Sequence, residues 1–397
     1  MTIKDRMSGN EAVAYAIKQV NPDVMPAFPI TPSTEIPQMV SNYIANGQMD
    51  TEFIPVESEH SSMSATIGAE AAGARSLTAT SSCGLALMWE ELLVAASNRM
   101  PCVLALVNRT LSGPININCD HSDSMGARDT GWIQIYAENN QEAYDNFIQA
   151  YPIAEDPRVH LPVMICQDGF ITSHAVENIE LNDDQSVKDF VGTYEPEEFL
   201  LNKGNPVSFG PYAVSNYSME AKKAQEKAME NAQEVIEEVA RKYKKKFGRG
   251  FELFEEYKTS DADYIMLIMG SAAGTAKQAV DDLRDKGIKA GVLKLRVFRP
   301  FPAQKIAEAL KGCKALAIMD RTESYNTNGG PLSAEVRAAL FEYEVHPKTV
   351  CYTYGLAGRD FTVDNACEIF DELSQVVENN KKVKQHRYIN LRTKEDQ

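Results

Sequence analysis

Predicted strands and helices alternate along this chain, and the alternation restricts its fold more than any other feature of the sequence. In the first half, the predicted strands span residues 24–28, 52–56, 75–80, 102–107, 132–136 and 162–166. The predicted helices span residues 9–20, 33–46, 59–74, 83–99 and 140–151. Buried strands that alternate with amphipathic helices are typical of a parallel sheet with helices on both faces.

A second unit with the same alternation follows residue 250. Its predicted strands span residues 262–269, 289–297 and 315–320, and its predicted helices span residues 275–286 and 303–310. The fold class that we expect is therefore α/β, with two doubly wound, mainly parallel-sheet domains over residues 1–249 and 250–397.

Three segments depart from this alternation. Residues 168–211 are acidic and contain Gly and Pro without clear periodicity, which predicts a long excursion over the surface. Residues 219–246 are strongly charged, with Ala, Met, Val and Ile at helical spacing, which predicts a long amphipathic connecting helix. The polar tail from Asn379 predicts a docked or frayed end.

Charge and cysteine content exclude several classes of function. The 397 residues carry a formal net charge of −16, which disfavours a nucleic-acid or anionic-membrane partner. No apolar signal segment and no apolar run long enough to span a bilayer is evident, so we expect a cytoplasmic protein. The seven cysteines are scattered singly without Cys-x-x-Cys, which predicts neither a disulfide framework nor an iron–sulfur site. If electrons are transferred, another chain carries them.

Three stretches that each follow a predicted strand of the first sheet carry the candidate functional side chains. They are residues 28–34, 57–60 and 107–115. Ligands of open α/β sheets bind beyond the carboxyl ends of the strands, so we expect these stretches to converge on one crevice. Thr31, between two prolines, offers a hydroxyl from a stiff loop, and Arg109 offers a planar fork suited to a carboxylate.

At the second stretch, Glu57, Glu59 and His60 are expected at the lip of the crevice, with Ser58 as the N-cap of the helix. Structural explanations compete with the functional ones at this point. The helix dipole alone favours an acidic residue in a first turn. Thr31 could simply cap the following helix, and a strand-end arginine often pairs with a structural carboxylate.

A small-residue turn at Gly270-Ser-Ala-Ala-Gly274 could hold an anion on helix N–H groups. It has neither the spacing of Gly-x-Gly-x-x-Gly nor the lysine of a phosphate-binding loop. Close packing is the explanation that we favour for its glycines.

Many short motifs in one order give this chain a resemblance over nearly its whole length. They are Phe-Pro-Ile-Thr-Pro-Ser-Thr (28–34), Val-Glu-Ser-Glu-His-Ser (56–61), Asn-Arg-Thr-Leu-Ser-Gly-Pro-Ile-Asn-Ile (108–117), Asp-His-Ser-Asp (120–123), Arg-Asp-Thr-Gly-Trp (128–132), Tyr-Ala-Glu-Asn-Asn-Gln-Glu (136–142), Asp-Gly-Phe-Ile-Thr-Ser-His (168–174) and Gly-Leu-Ala-Gly-Arg-Asp (355–360). The chain resembles the alpha subunits of pyruvate:ferredoxin oxidoreductases, within the thiamine-diphosphate-dependent 2-oxoacid:ferredoxin oxidoreductases.

The resemblance implies a fold, a reaction and roles for three residues. It implies a pyrimidine-binding domain of the thiamine-diphosphate fold followed by a transketolase C-terminal-like domain. The implied reaction is the reversible oxidative decarboxylation of pyruvate with CoA to acetyl-CoA and CO2, with ferredoxin as the electron acceptor. Glu59 is implied to contact the aminopyrimidine ring of thiamine diphosphate, Thr31 to place its hydroxyl beside the cofactor and the reacting carbonyl, and Arg109 to hold the substrate carboxylate.

The sequence also departs from the family pattern. It lacks the Gly-Asp-Gly and distant Asn that bind Mg²⁺ and the diphosphate, and Gln167-Asp-Gly169 is not that signature. The diphosphate, its Mg²⁺ and the iron–sulfur clusters are then expected on partner subunits of the beta, gamma and delta types, with the isolated chain inactive. For His60, His121 and His174 we expect partnered structural roles rather than proton transfer.

Two alternatives stay open at this level. One is a sibling enzyme that uses 2-oxoisovalerate or 2-oxoglutarate. The second carboxylate of 2-oxoglutarate would require another cation, and the loop over residues 109–115 supplies only Arg109. The other is a non-catalytic scaffold subunit, which would need none of Glu59, Thr31 and Arg109.

Overall fold

The structure is a computed structural model that describes residues 3–379, 384 and 386–392. Most of the polar tail predicted from Asn379 lies outside the described residues. Among the helices that are described, none is both long enough and apolar enough to cross a membrane.

The first half of the chain contains the following strands: β1 (Ile3–Met7), β2 (Val24–Ala27), β3 (Glu52–Pro55), β4 (Leu77–Thr80), β5 (Val103–Asn108), β6 (Ile133–Tyr136), β7 (Val163–Asp168) and β8 (Glu177–Leu181). Its helices are α1 (Gly9–Val20), α2 (Glu35–Ala45), α3 (Glu59–Ala71), α4 (Ser82–Leu87), α5 (Trp89–Ser97), α6 (Ser122–Gly126), α7 (Asn140–Ala154), α8 (Asp184–Val191) and α9 (Ser218–Phe247).

The second half contains the strands β9 (Phe254–Tyr257), β10 (Tyr264–Met269), β11 (Ala290–Leu295), β12 (Val297–Arg299), β13 (Ala315–Asp320), β14 (Lys348–Thr353) and β15 (His386–Tyr388). Its helices are α10 (Ala272–Asp285), α11 (Ala303–Ala309), α12 (Pro331–Glu342) and α13 (Val363–Glu378), with a short 3₁₀ turn at Leu356–Gly358.

Two mainly parallel sheets organise these elements, which confirms the predicted fold class. The first sheet has the strand order β12-β6-β7-β5-β4, and the second has the order β15-β14-β13-β10-β11-β9. Among the described strands of these two sheets, only β12 and β9 run antiparallel to their neighbours. Strands β2 and β3 pair in parallel, and a single parallel bridge from Val24 to Ser76 joins them to the region of β4.

The central strands form because their sequences are continuous apolar runs. All residues of β5, β7, β10 and β13 are buried, as expected for parallel strands that are covered by helices on both faces. Helix α7 packs against β7 and is buried on nearly every side. These strands are therefore rigid supports for the loops at their carboxyl ends.

Strand β12 belongs to the second half of the sequence but pairs with β6 of the first sheet, with Val297 opposite Ile135. The chain therefore crosses back over the boundary predicted at residues 249 and 250. That boundary remains a prediction.

Two sequence predictions need correction. The expected excursion over residues 168–211 contains regular structure, because β8 pairs antiparallel with β1 and α8 follows it. The single helix predicted over residues 83–99 is wrong, because it breaks at Met88, where ψ is 0° rather than near −42°.

The long connecting helix is confirmed as α9, whose first ten residues are almost wholly exposed. Its core-facing stripe consists of Ala228, Ala232, Val235, Ile236, Val239, Ala240 and Tyr243.

Candidate functional site

Glu59 is the first residue of α3 and lies almost fully buried, with 7% of its surface exposed. The predicted cap is confirmed, since the Ser58 hydroxyl accepts a hydrogen bond of 3.2 Å from the Ser61 N–H. A Cβ atom on Gly84 would lie 2.8 Å from both Cγ and Oε1 of Glu59, so the glycine lets α4 approach this side chain. Among the described residues, none forms a hydrogen bond or ion pair with the Glu59 carboxylate. The Glu59 carboxylate can therefore accept a hydrogen bond from a ligand or from solvent.

Arg109 follows the carboxyl end of β5 and is also 7% exposed. Its Nη1 donates to the Thr31 carbonyl at 3.0 Å, and its Nε donates to the Asn116 carbonyl at 3.2 Å. Within the described part of the chain, no carboxylate pairs with its guanidinium. The structural explanation for this arginine therefore finds no support, and its positive charge is available to an anionic ligand.

Thr31 lies exposed in the loop between β2 and α2. It does not cap α2, because that helix has Thr34 at its N-cap position, so the capping alternative is wrong. Asn10 and Ser33 hold the loop, with the Asn10 amide donating to the Pro32 carbonyl at 2.8 Å and the Ser33 hydroxyl donating to the Ile30 carbonyl at 2.8 Å. The Thr31 hydroxyl has no hydrogen-bond partner in the described structure.

Helix α4 contacts both Glu59 and the loop that follows Arg109. Gly84 packs on Glu59, while the thiol of the preceding Cys83 lies 2.9 Å from the Ser112 hydroxyl. That hydroxyl, together with the nearby guanidinium of Arg109, lowers the pKa of the Cys83 thiol. Arg109 therefore contacts the Thr31 loop directly, and α4 links the loop that follows Arg109 to Glu59. That these side chains line one crevice remains a prediction.

Asp123, in α6, is a residue that the sequence analysis did not single out. Its carboxylate is 3% exposed and accepts N–H donors from Arg109, Ser82 and Asn108. Burial raises its pKa to about 6, although these donors act in the opposite direction. Its only signal in the sequence is the motif over residues 120–123, which gives no indication of what it contacts.

The other predicted lip residues have partners within the chain. Glu57 is exposed, and its carboxylate accepts a short hydrogen bond from the Ser61 hydroxyl. His60 is 45% exposed at its side chain, with Nε2 3.4 Å from Oε1 of Glu91.

His174 and His121 are also partnered. Nδ1 of His174 lies 2.7 Å from the Ser173 hydroxyl, and its ring stacks against Phe170. His121 is buried, with Nε2 2.8 Å from Oδ1 of Asp168.

Asp168 is the centre of a second buried cluster, at the junction of the two sheets. Its carboxylate lies 2.8 Å from Nη1 of Arg321 and 2.9 Å from the Ser271 N–H. Burial acts to raise its pKa, but the Arg321 guanidinium and His121 outweigh burial and hold the pKa far below its usual range. Gly270 has a φ of +71°, and a Cβ there would lie 2.8 Å from Oδ2 of Asp168. The turn at 270–274 therefore holds a carboxylate of this chain, and its close packing is confirmed.

A cleft of about 630 Å³ lies between the loop that follows Arg109 and the second half of the chain. It is lined by residues 110–114, 116, 120, 122, 125, 126, 128 and 129 on one side and by residues 322–325, 331, 356 and 357 on the other. A larger cavity of about 940 Å³ lies between α10 and α13, and none of the candidate residues lines it.

Two groups of side chains in the described structure have the ligand types and spacing of a metal site. They are Cys119, His121 and Asp168, and Glu138, Glu142 and Glu255. The first already contains the ion pair between Asp168 and Arg321, and in the second the amines of Lys277 and Lys294 compensate two of the three carboxylates. Neither group includes Glu59.

Solved structures identify the fold. A 2-oxoglutarate:ferredoxin oxidoreductase from Magnetococcus marinus superposes with a TM-score of 0.72 at 20% identity, over 93% of this chain and 65% of that chain. A split-gene transketolase superposes with a TM-score of 0.56 at 12% identity, over 94% of this chain and 99% of that chain. The protein therefore has the fold shared by 2-oxoacid:ferredoxin oxidoreductases and transketolases.

Sequence comparison gives the family. Residues 15–241 match the pyruvate flavodoxin/ferredoxin oxidoreductase thiamine-diphosphate-binding domain, and residues 262–366 match pyruvate:ferredoxin oxidoreductase core domain II. The chain belongs to the pyruvate:ferredoxin oxidoreductase family, as the motifs predicted.

Relatives align over almost their full length. The pyruvate synthase subunit PorA of Thermotoga maritima is 47% identical over 97% of both chains, and that of Pyrococcus abyssi is 46% identical over 99% of both. The ketoisovalerate oxidoreductase subunit VorA of Pyrococcus furiosus is 43% identical over 96% of both chains.

Proposed function

We propose that this chain is the alpha subunit of a pyruvate synthase, which converts pyruvate and CoA reversibly to acetyl-CoA and CO2 and passes electrons to ferredoxin. The observation that carries the proposal is the buried Glu59 carboxylate, which has no partner among the described residues. The relatives named pyruvate synthase subunits, at 43–47% identity, support the choice of pyruvate.

Thiamine diphosphate, when bound, supplies the electron sink that a 2-oxoacid needs in order to lose CO2. Glu59 would hold the pyrimidine ring through a hydrogen bond, and its burial beside Gly84 fits a flat organic ring. The Arg109 guanidinium, which pairs with no carboxylate among the described residues, would bind the substrate carboxylate, and Thr31 would donate its hydroxyl to the substrate carbonyl.

Partner subunits are proposed to supply the rest of the site. The relatives are named as subunits, which supports the presence of partner chains. Mg²⁺ with the diphosphate, and the iron–sulfur clusters, are proposed to lie on beta, gamma and delta subunits, because this sequence lacks the Gly-Asp-Gly signature. The cysteines remain free thiols at separate positions, of which Cys102, Cys119, Cys166, Cys313 and Cys351 are buried.

A sibling enzyme that acts on 2-oxoisovalerate is the second candidate, because relatives named ketoisovalerate oxidoreductase subunits reach 42–43% identity. Arg109 serves either substrate equally, since each has a single carboxylate. Pyruvate carries a methyl group where 2-oxoisovalerate carries a branched side chain. The apolar wall that discriminates between these two groups would include residues of the partner subunit.

The test uses the chain purified with its native subunits, in the presence of thiamine diphosphate and Mg²⁺. Reduction of a low-potential viologen dye is followed after addition of pyruvate and CoA, for the wild type, Glu59→Ala and Glu57→Ala. We expect Glu59→Ala to lower the rate by at least about 100-fold in an assembled complex. Glu57→Ala is the matched control, because this exposed carboxylate lies two residues away and should leave the rate unchanged.

The possible results separate the candidates. Reduction with 2-oxoisovalerate but not with pyruvate would overturn only the choice of substrate. A fully active Glu59→Ala complex would overturn the catalytic role and favour a scaffold subunit.

A further inference from the structure

The buried carboxylate of Asp123 connects two parts of the candidate site, the end of β5 with Arg109 and the start of α4. Oδ2 accepts the N–H groups of Arg109 at 2.9 Å and Ser82 at 3.0 Å. Oδ1 accepts the Asn108 amide at 2.8 Å and the Ser124 N–H at 2.8 Å. Four donors therefore surround one carboxylate, and no cation pairs with it in the described structure.

The donors belong to elements that carry the proposed functional residues. Asn108 is the last residue of β5, and Arg109 follows it, with its guanidinium reaching the Thr31 carbonyl. Ser82 is the first residue of α4, two positions before the Gly84 that packs on Glu59. The Ser82 hydroxyl also donates to the Thr110 carbonyl at 2.5 Å, which adds a second connection between α4 and the Arg109 loop.

We propose that Asp123 is a positioning residue that sets the placement of Arg109 relative to Glu59, and so aligns the substrate carboxylate with the cofactor. The inference rests on the proposed function, since it assigns Asp123 a part in that same site. Asp123 does this through backbone N–H groups, and it touches neither substrate nor cofactor. Small displacements of positioned groups are costly in rate, because reacting groups must be held close to productive geometry.

A carboxylate is required at this position because each of its oxygens receives two N–H donors. An asparagine has one oxygen and one NH2 group, so in either orientation its NH2 faces two donors and two hydrogen bonds are lost. Asp123→Asn therefore keeps the volume of the side chain while it releases either the pair Arg109 and Ser82 or the pair Asn108 and Ser124.

Asp320 offers a matched control in the second half of the chain. It is 2% exposed and accepts the N–H groups of Gly330 at 3.1 Å, Leu332 at 2.8 Å and Ser333 at 3.1 Å. It therefore organises a loop with the same chemistry as Asp123, but it contacts neither Arg109 nor α4.

The experiment compares Asp123→Asn, Asp320→Asn and the wild type in the assembled complex. Three quantities are measured: the melting temperature, the KM for pyruvate in the dye assay, and the dissociation constant of thiamine diphosphate by calorimetry. We expect Asp123→Asn to raise the KM and the dissociation constant by about tenfold each. Asp320→Asn should lower the melting temperature to a similar extent with both constants unchanged.

Wild-type constants in an assembled Asp123→Asn complex would overturn the inference, as would equal rises in both variants. If Asp123→Asn does not assemble, Asn108→Ser removes one of the four donors and should raise both constants about two- to threefold. Unchanged constants in that variant would also overturn the inference. If the wild type turns over no 2-oxoacid, the proposed function fails, while the calorimetric comparison still decides the role of Asp123.

Discussion

Two sets of buried charged side chains in this molecule differ in whether the described residues provide an ionic partner for them. At the junction of the sheets, Asp168 is paired with Arg321 and lies beside His121 and Ser271. At the candidate site, Glu59 and Arg109 are equally inaccessible, but no described residue forms an ion pair with either. A buried charge without compensation costs stability. Asp168 and Arg321 therefore compensate each other within the chain, whereas Glu59 and Arg109 are left without an ionic partner among the described residues.

The largest expected effect comes from breaking the ion pair between Asp168 and Arg321. Arg321→Met should destabilise the chain by about 3–5 kcal/mol, because Asp168 would remain buried without its cation. Thermal unfolding of the assembled complex measures the loss. The double variant Asp168→Asn with Arg321→Met is the control and should recover much of the stability, since no charge is then left unpaired. A loss of less than about 1 kcal/mol in the single variant would contradict a buried ion pair.

Glu70 shows a third way to accommodate a buried carboxyl, which is to keep its proton. Burial raises its pKa from 4.5 to about 8, although the Ser76 and Tyr194 hydroxyls oppose the rise. The folded chain then holds a proton that the unfolded chain loses above about pH 4.5, so this contribution to stability is full below that pH and is lost as the pH rises to about 8.

Glu70→Gln resembles the protonated side chain and should remove this dependence on pH. Between pH 5 and pH 8 the wild type should lose roughly 2–4 kcal/mol more stability than the variant. Melting temperatures of both complexes across that range provide the measurement. Parallel curves for the two proteins would show that Glu70 is ionised in the fold.

Changing Arg109, which has no ionic partner in the described structure, should affect substrate binding more than stability. Arg109→Lys should raise the KM for pyruvate by about 10- to 100-fold, because an ammonium cannot bind a carboxylate through two parallel hydrogen bonds. The melting temperature of the complex should fall only slightly. Arg158→Lys, at an exposed ion pair with Asp156 and Glu238, is the control and should leave the KM unchanged. An unchanged KM in Arg109→Lys would remove this arginine from the site.

The smallest effect is expected at His60. Its side chain is 45% exposed and its only ion-pair partner in the described structure is Glu91, so His60→Gln should change stability by less than about 0.5 kcal/mol. The value of kcat/KM should stay within about twofold of the wild type. A large loss of kcat with assembly intact would give His60 a proton-transfer role after all.

The sequence predicted those features that depend on neighbouring residues. The cap at Ser58, the buried run of β5 and the amphipathic α9 each follow from local pattern, and all three are present in the structure. Glu59, Thr31 and Arg109 were found because they follow predicted strands and match family motifs.

The features that were missed depend on contacts between distant segments. Strand β8 is stabilised by β1, with Leu181 opposite Ile3, and no periodicity within residues 168–211 indicates that partner. Asp123 binds donors that come from two other elements, so its role exists only after the chain has folded. The helix predicted over residues 83–99 breaks at Met88 through a change in one backbone angle, within a run of apolar residues.

Strand β12 has a mechanical consequence. Strand β12 is hydrogen-bonded to β6 of the first sheet, whereas β11, the strand before it, belongs to the second sheet. A hinge motion that separates the two sheets would therefore break the hydrogen bonds between β12 and β6. The ion pair between Asp168 and Arg321 ties the same junction. We therefore expect any opening of the cleft between the loop that follows Arg109 and the second half of the chain to come from movements of loops rather than from rotation of the two sheets.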